Sequence, residues 1–161
     1  MKLKNTILST LLTLSLAAAI GTASARGSGS ITLTTDFGST EVIAWSWGAS
    51  NSGSFHVGGG GGAGKANFQD VSITRYSDAL SAHFLSMVAN GNHIANATLT
   101  RDNLTIELQD VLVTSYSVGG TSDKKEPTTE NISLNFARVK YEIDGSSLCW
   151  DVAANAPGSC N

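Results

Sequence analysis

Apolar and polar positions along this chain follow a strand period almost throughout and leave it once. Ile31–Thr35 alternates Ile31 and Leu33 with threonines, the period-two pattern of a half-buried strand. Asp36–Thr40 reads as a turn into Val42–Trp47, where Val42, Ile43, Trp45 and Trp47 crowd a β-leaning run. Trp45 and Trp47 are two apart, so both indoles share one strand face and Ser46 takes the other. Ala66–Tyr76 sets Phe68, Val71 and Ile73 among polar residues and predicts a strand with some irregularity. The exception is Asp78–Asn90, where Leu80, Phe84, Met87 and Val88 fall on one face of a helix. Ser77 or Asp78 can cap its start, and Gly91 can close its end.

The remainder returns to β. Ala95–Arg101 predicts a short strand. Leu104–Val118 carries Leu104, Ile106 and Leu108 on one phase, then Val111 and Val113 on the other. Asn131–Asp144 does the same, with Ile132, Leu134 and Phe136 followed by Val139, Tyr141 and Ile143. A phase change inside one apolar run predicts a β-bulge, near Asp110 in the first strand and near Arg138 in the second, and bulges let strands bend into a barrel. Gly119–Thr129, with its Gly-Gly pair, Pro127 and charge cluster, reads as a loop.

Composition changes this picture mainly at the N-terminus. Lys2 and Lys4 precede an apolar stretch, Ile7–Ile20, and Ala23-Ser24-Ala25 is a small-residue cleavage pattern, so residues 1–25 read as a Sec-type signal peptide. Residues 26–161 are then a single domain of 136 residues. It carries 8 basic and 13 acidic residues, a formal charge of −5, which argues against binding nucleic acid or anionic lipid by charge. The expected location is the periplasm or the medium. Two cysteines, Cys149 and Cys160, lie in the exported part, and export with an even count favours one disulfide. Closing that short loop would stabilise the domain by about 2–3 kcal/mol at most. Free thiols and a bond between subunits are the alternatives.

Candidate chemistry is sparse. Gly58, Gly59, Gly60, Gly61, Gly62, Ala63 and Gly64, followed by Lys65, fit G-x-x-x-x-G-K from Gly59 onward. Ala66 supplies no hydroxyl for Mg²⁺, and a strand-like run rather than a helix follows, so a phosphate loop is rejected. Backbone permissiveness and close main-chain approach explain the glycines better. His56, His83 and His93 lack metal-ligand spacing. The sequence shows no nucleophile elbow, and neither cysteine sits where its pKa would fall. Gln69-Asp70 resembles Gln109-Asp110; an aspartate in a strand could be catalytic, and the reading favoured is a strand-edge or subunit-contact residue. Asn96, Asn103 and Asn131 head N-x-[ST] triplets of little weight beside a bacterial-style leader. No catalytic residue, cofactor or metal is expected.

The run IAWSWGASNSGSFHVGGGGGAGKANFQDVSITRY resembles the haemolysin-coregulated protein (Hcp) family, the tube protein of type VI secretion systems. LQDVLVTSYSVGG, ENISLNFARVKYEI and CWDVAAN are similar to its later segments, and the likeness spans roughly Ile31 to Asn155. The resemblance implies a mainly β fold, a barrel of two packed antiparallel sheets with one flanking helix. It implies a non-enzymatic subunit of hexameric rings that stack into a tube behind a valine-glycine-repeat spike protein, inside a sheath, with effector cargo. On that reading Gly58–Gly64 is a subunit-contact arm, and Ser46 is a lumen-facing candidate. A cleavable leader and a cysteine pair depart from the family pattern. The alternative is a Sec-exported relative acting as a periplasmic or extracellular binding or adhesive module.

Overall fold

The computed structural model describes residues 29–53 and 64–159. Its elements run β1 (Ile31–Thr35), β2 (Gly38–Val42), β3 (Ala44–Ser46), β4 (Ala49–Asn51), β5 (Ala66–Phe68), β6 (Val71–Tyr76), α1 (Ser81–Asn90), β7 (His93–Arg101), β8 (Leu104–Gly119), β9 (Thr129–Ile143), β10 (Ser146–Asp151) and β11 (Ala156–Pro157). Nine strands form one antiparallel sheet in the order β11-β10-β9-β8-β7-β1-β2, with β6 branching from β9 and β3 pairing with β6. Strands β4 and β5 make a separate two-stranded ribbon.

The large sheet closes on itself because the chain bends at Ile43. The Ile43 N–H donates to the Thr74 carbonyl at 2.8 Å, and β3 then pairs with β6. The circuit β6, β9, β8, β7, β1, β2 and β3 is therefore a barrel with one flanking helix, as expected. Its interior is filled by Leu33, Ile73, Leu99, Ile106, Leu108, Ile132 and Leu134, each at most 1% exposed. The tryptophan run is accordingly two strands rather than one. Trp45 and Trp47 do share the inward phase, but both are only partly buried at the edge of the core. Ala66–Tyr76 likewise divides into β5 and β6, separated at Gln69 and Asp70.

The phase changes anticipated near Asp110 and Arg138 are present, with a different geometry. Leu108 and Val111 both point inward, as do Phe136 and Val139 opposite them and Ala97 and Ile94 on the other flank. Three adjacent strands thus invert their alternation at the same level while their pairing register stays constant. The bend is a shared kink and not a bulge in either strand. Asp110 takes the left-handed conformation there (φ 54°), which aspartate tolerates better than most residues. Backbone groups turned out of the ladder find other partners. The Asp36 carboxylate accepts the Ala95 N–H at 2.7 Å, and the Ala137 carbonyl accepts the Val152 N–H at 2.9 Å. The true register shift lies between Val113 and Ser115. The hydroxyl of the extra residue, Thr114, donates to Asp70 at 2.5 Å, and Asn135 Nδ2 donates to the same carboxylate at 2.8 Å.

Helix α1 begins at Ser81, three residues later than the pattern predicts. Asp78 is drawn into a side-chain-closed turn instead: its carboxylate accepts the Leu80 N–H, and its own N–H donates to Ser81 Oγ. Gly91 ends the helix in the left-handed region (φ 65°) with its N–H on the Met87 carbonyl, as expected. Phe84 is the fully buried residue of the helix and meets Phe37 edge to face at 5.1 Å. Replacing Phe84 by alanine should therefore lower stability by about 3–5 kcal/mol. Leu85→Ala, on the open face, should change it by no more than about 0.5 kcal/mol. Urea unfolding followed by circular dichroism distinguishes the two; equal losses would contradict this docking.

Candidate functional site

The outward face around Ser46 is built by register. Ser46 pairs with Ser72, Ser72 with Ser133, and Ser133 with Ser115, so four serines cross β3, β6, β9 and β8 in one row. The next row runs Ala44, Thr74, Asn131 and Ser117, with the Thr74 hydroxyl donating to Asn131 Oδ1 at 2.8 Å. A shallow depression of about 340 Å³ opens over this wall. Neither row contains a charged side chain. Sequence reasoning singled out Ser46 alone; the outward phases of the other strands were the signal for the rest.

Of the glycine run, Gly58–Ala63 lie outside the described residues; Gly64 and the base of the run are described. Asn51 Nδ2 donates to the Gly64 carbonyl at 2.8 Å, and Asn51 Oδ1 accepts the Gly53 N–H at 2.9 Å. A Cβ on Gly64 would come within 2.9 Å of the Ser52 backbone, which requires glycine there. The Ala66 N–H donates to Asn155 Oδ1 at 3.1 Å, tying this ribbon to the C-terminal turn. Beneath it Trp47 stacks on Phe68 at 5.9 Å and on Tyr141 at 6.0 Å, while Phe68 meets Trp150 at 6.1 Å.

One group was missed from sequence. Arg75 and Glu130 are cross-strand partners on the inward phase, both fully buried, with Arg75 Nε 3.4 Å from Glu130 Oε2. Arg75 also pairs with Asp78 and lies 5.2 Å over the Phe84 ring, while the Tyr116 hydroxyl donates to Glu130 at 2.9 Å. Opposite charges at facing inward positions of VSITRY and TENISL were the available signal. Burial raises the Tyr116 pKa, reinforced by its bond to Glu130 and by that carboxylate's charge. Burial also opposes ionisation of Asp78, but the Leu80 N–H, the Thr40 hydroxyl and Arg75 outweigh it and hold its pKa below the ordinary 3.8.

The remaining candidates are scattered. His83 stacks on Phe37 at 5.3 Å, His93 Nδ1 sits 2.5 Å from Asp110 Oδ1 on the surface, and His56 is outside the described residues. Asp70 serves the register shift at Thr114 within its own chain. No group of three or more His, Cys, Asp or Glu able to hold a metal occurs among the described residues. Cys149 shares the outward face with Lys140 yet is only 8% exposed, because Gly158 and Ser159 lie over it around a space of about 50 Å³. It is disulfide-bonded; Cys160 lies outside the described residues.

The described residues thus form a closed, kinked barrel with one docked helix. The family profile described as "Type VI secretion system effector, Hcp" matches residues 20–143, and the chain belongs to that family. It is similar to Protein hcp1 of Pseudomonas aeruginosa, 45% identical over 111 residues that cover 63% of this chain and 68% of that one. Among solved structures, a type six secretion system protein superposes with a TM-score of 0.72 at 19% identity, covering 81% of this chain and 99% of that one. Hcp1 from Salmonella typhimurium does so at 0.68 and 24% identity over the same shares. The chain is an Hcp-like structural subunit of the type VI secretion system.

Removing one member of the buried pair strands the other, so Arg75→Ala should destabilise by about 3–5 kcal/mol. The double variant Arg75→Met/Glu130→Leu should lie closer to the parent than Arg75→Ala does in urea unfolding; additive losses would show no coupling. Asp78, whose pKa is depressed, contributes stability that is present above 3.8 and lost as pH falls through its folded value. Tyr116, whose pKa is raised, contributes stability present below its ordinary value of 10.0 and lost as pH climbs through its folded value. Asp78→Asn should flatten the acid limb of the unfolding midpoint and Tyr116→Phe the alkaline limb, each without altering the other.

Proposed function

We propose that the mature chain, beginning at Arg26, forms hexameric rings that stack into a tube, with the Ser46 wall facing the lumen and the Gly58–Gly64 run contacting neighbouring subunits. The observation that carries this is the uncharged wall of Ser46, Ser72, Ser133 and Ser115, set on a barrel of a tube-protein family. A lumen of small hydroxyls would let cargo pass without fixed ion pairs to break. The glycine run fits a contact arm because ordering so many glycines loses much conformational entropy and needs partner contacts in return. A valine-glycine-repeat spike protein, a sheath and effector cargo are the further partners on this reading. No metal or cofactor is required.

The N-terminal pattern favours export with cleavage after Ala25, and no helix among the described residues is long and apolar enough to cross a membrane. Cys149 pairs with Cys160 of its own chain on this reading, since Gly158 already bonds the Cys149 carbonyl at 2.9 Å and Cys160 is two residues further on. A stand-alone exported binding or adhesive module on the same barrel is the second reading, favoured by the same leader. Light scattering and electron microscopy of the chain starting at Arg26 should show a sixfold ring, and intact mass of exported protein should begin at Arg26. Shortening Gly58–Gly64 should reduce ring association or stacking while circular dichroism stays unchanged. A shortened chain that assembles like the parent would remove the arm from the interface, and a monomer at all concentrations would favour the stand-alone module.

A further inference from the structure

We infer that the disulfide at Cys149 is a redox latch on the base of the glycine run. The C-terminal segment lies along β10 through a two-residue strand, with Trp150 opposite Pro157 and Asp151 opposite Ala156, and one further bond from the Gly158 N–H to the Cys149 carbonyl. So short a strand is marginal by itself. Cys149 is buried on an outward face only where this segment covers it. The turn that delivers the segment contains Asn155, held in the left-handed region (φ 50°) with its N–H on the Val152 carbonyl at 3.3 Å. Its side-chain oxygen accepts the Ala66 N–H, two residues beyond Gly64, where the glycine run ends. Trp150, next to Cys149, packs against Phe68 at the other end of β5. Cystine, C-terminal strand, Asn155 and β5 form one mechanical series.

Reduction by a dithiol breaks the S–S bond, delivers two electrons and two protons to give two thiols, and leaves the dithiol as its own disulfide. The C-terminal strand then keeps only its few backbone bonds. Asn155 loses its fixed position, and the anchor on Ala66 loosens. In the oxidised protein the arm's base is held; in the reduced protein it is released while the barrel stays folded. Only the consequence for ring contacts rests on the assembly proposed above; the latch itself is a property of one chain.

Hydrogen exchange read by mass spectrometry on the chain starting at Arg26, with and without dithiothreitol, tests this independently of assembly. Exchange at Ala66 and proteolysis between Gly53 and Lys65 should rise at least about tenfold on reduction, with core segments around Leu33 and Ile106 unchanged; a tenfold change corresponds to about 1.4 kcal/mol of lost local protection. Cys160→Ser should reproduce the effect without reductant. Asn155→Ala should reproduce it with the disulfide intact. Unchanged exchange at Ala66 would overturn the latch, as would an equal rise across the core, which would make the bond a global staple only. A species of doubled mass on a non-reducing gel would also overturn it, by placing the bond between chains.

Discussion

The contact between Arg75 and Glu130 organises more of this molecule than any other. A buried guanidinium loses its hydration, and attraction to a single carboxylate compensates that loss only when further hydrogen bonds are supplied. Here Asp78, Ser81 and the Tyr76 carbonyl supply them to Arg75 and Tyr116 on β8 donates to Glu130, while Arg75 Nη1 and Glu130 Oε2 keep no hydrogen-bond partner among the described residues. Pairing this cation with Asp78 and Ser81 ties the start of the helix to the barrel. Asp78 is shared with Thr40 of β2, so the strand leading to the closure point at Ile43 is tied to the same charge. A hydrophobic pair could fill the space, but it would not select these partners.

The barrel needs a second constraint, because three long neighbouring strands cannot curve while alternating regularly. The chain answers with two adjacent outward residues in each: Ala95 and Asn96, Gln109 and Asp110, Ala137 and Arg138. Since all three strands invert together, the ladders lose their pairs only at Ala95, Asp110 and Ala137, the register carries on past them, and the sheet bends as one unit. Above the kink, inward positions build the wall behind the serine row; below it, they build the floor for Trp47, Tyr141 and Trp150. The kink thus separates a hydroxylated wall from an aromatic base under the β4–β5 ribbon.

Several polar side chains serve the fold: His83 stacks, Asp70 holds Thr114, Asp36 caps turned-out amides, and Glu130 pairs with Arg75. What faces outward around Ser46 is small and uncharged.

The sequence by itself determined strands β1, β7, β8 and β9, the helix face of Leu80, Phe84, Met87 and Val88, and the shared face of Trp45 and Trp47, because periodicity is a local property that burial imposes residue by residue. It also marked the inversion points at Asp110 and Arg138, since a phase change shows in one strand alone. Whether those points are bulges or one shared kink depends on which residues lie opposite, and register belongs to pairs of strands. Tertiary structure alone decided that, along with the closure at Ile43 and the row from Ser46 to Ser115. It alone showed that the Asp78 carboxylate, which accepts the Leu80 N–H in the turn before Ser81, is shared with a buried arginine of the preceding strand. A charge on an inward phase reads as an anomaly in one strand and becomes intelligible only when the neighbouring strand presents its opposite.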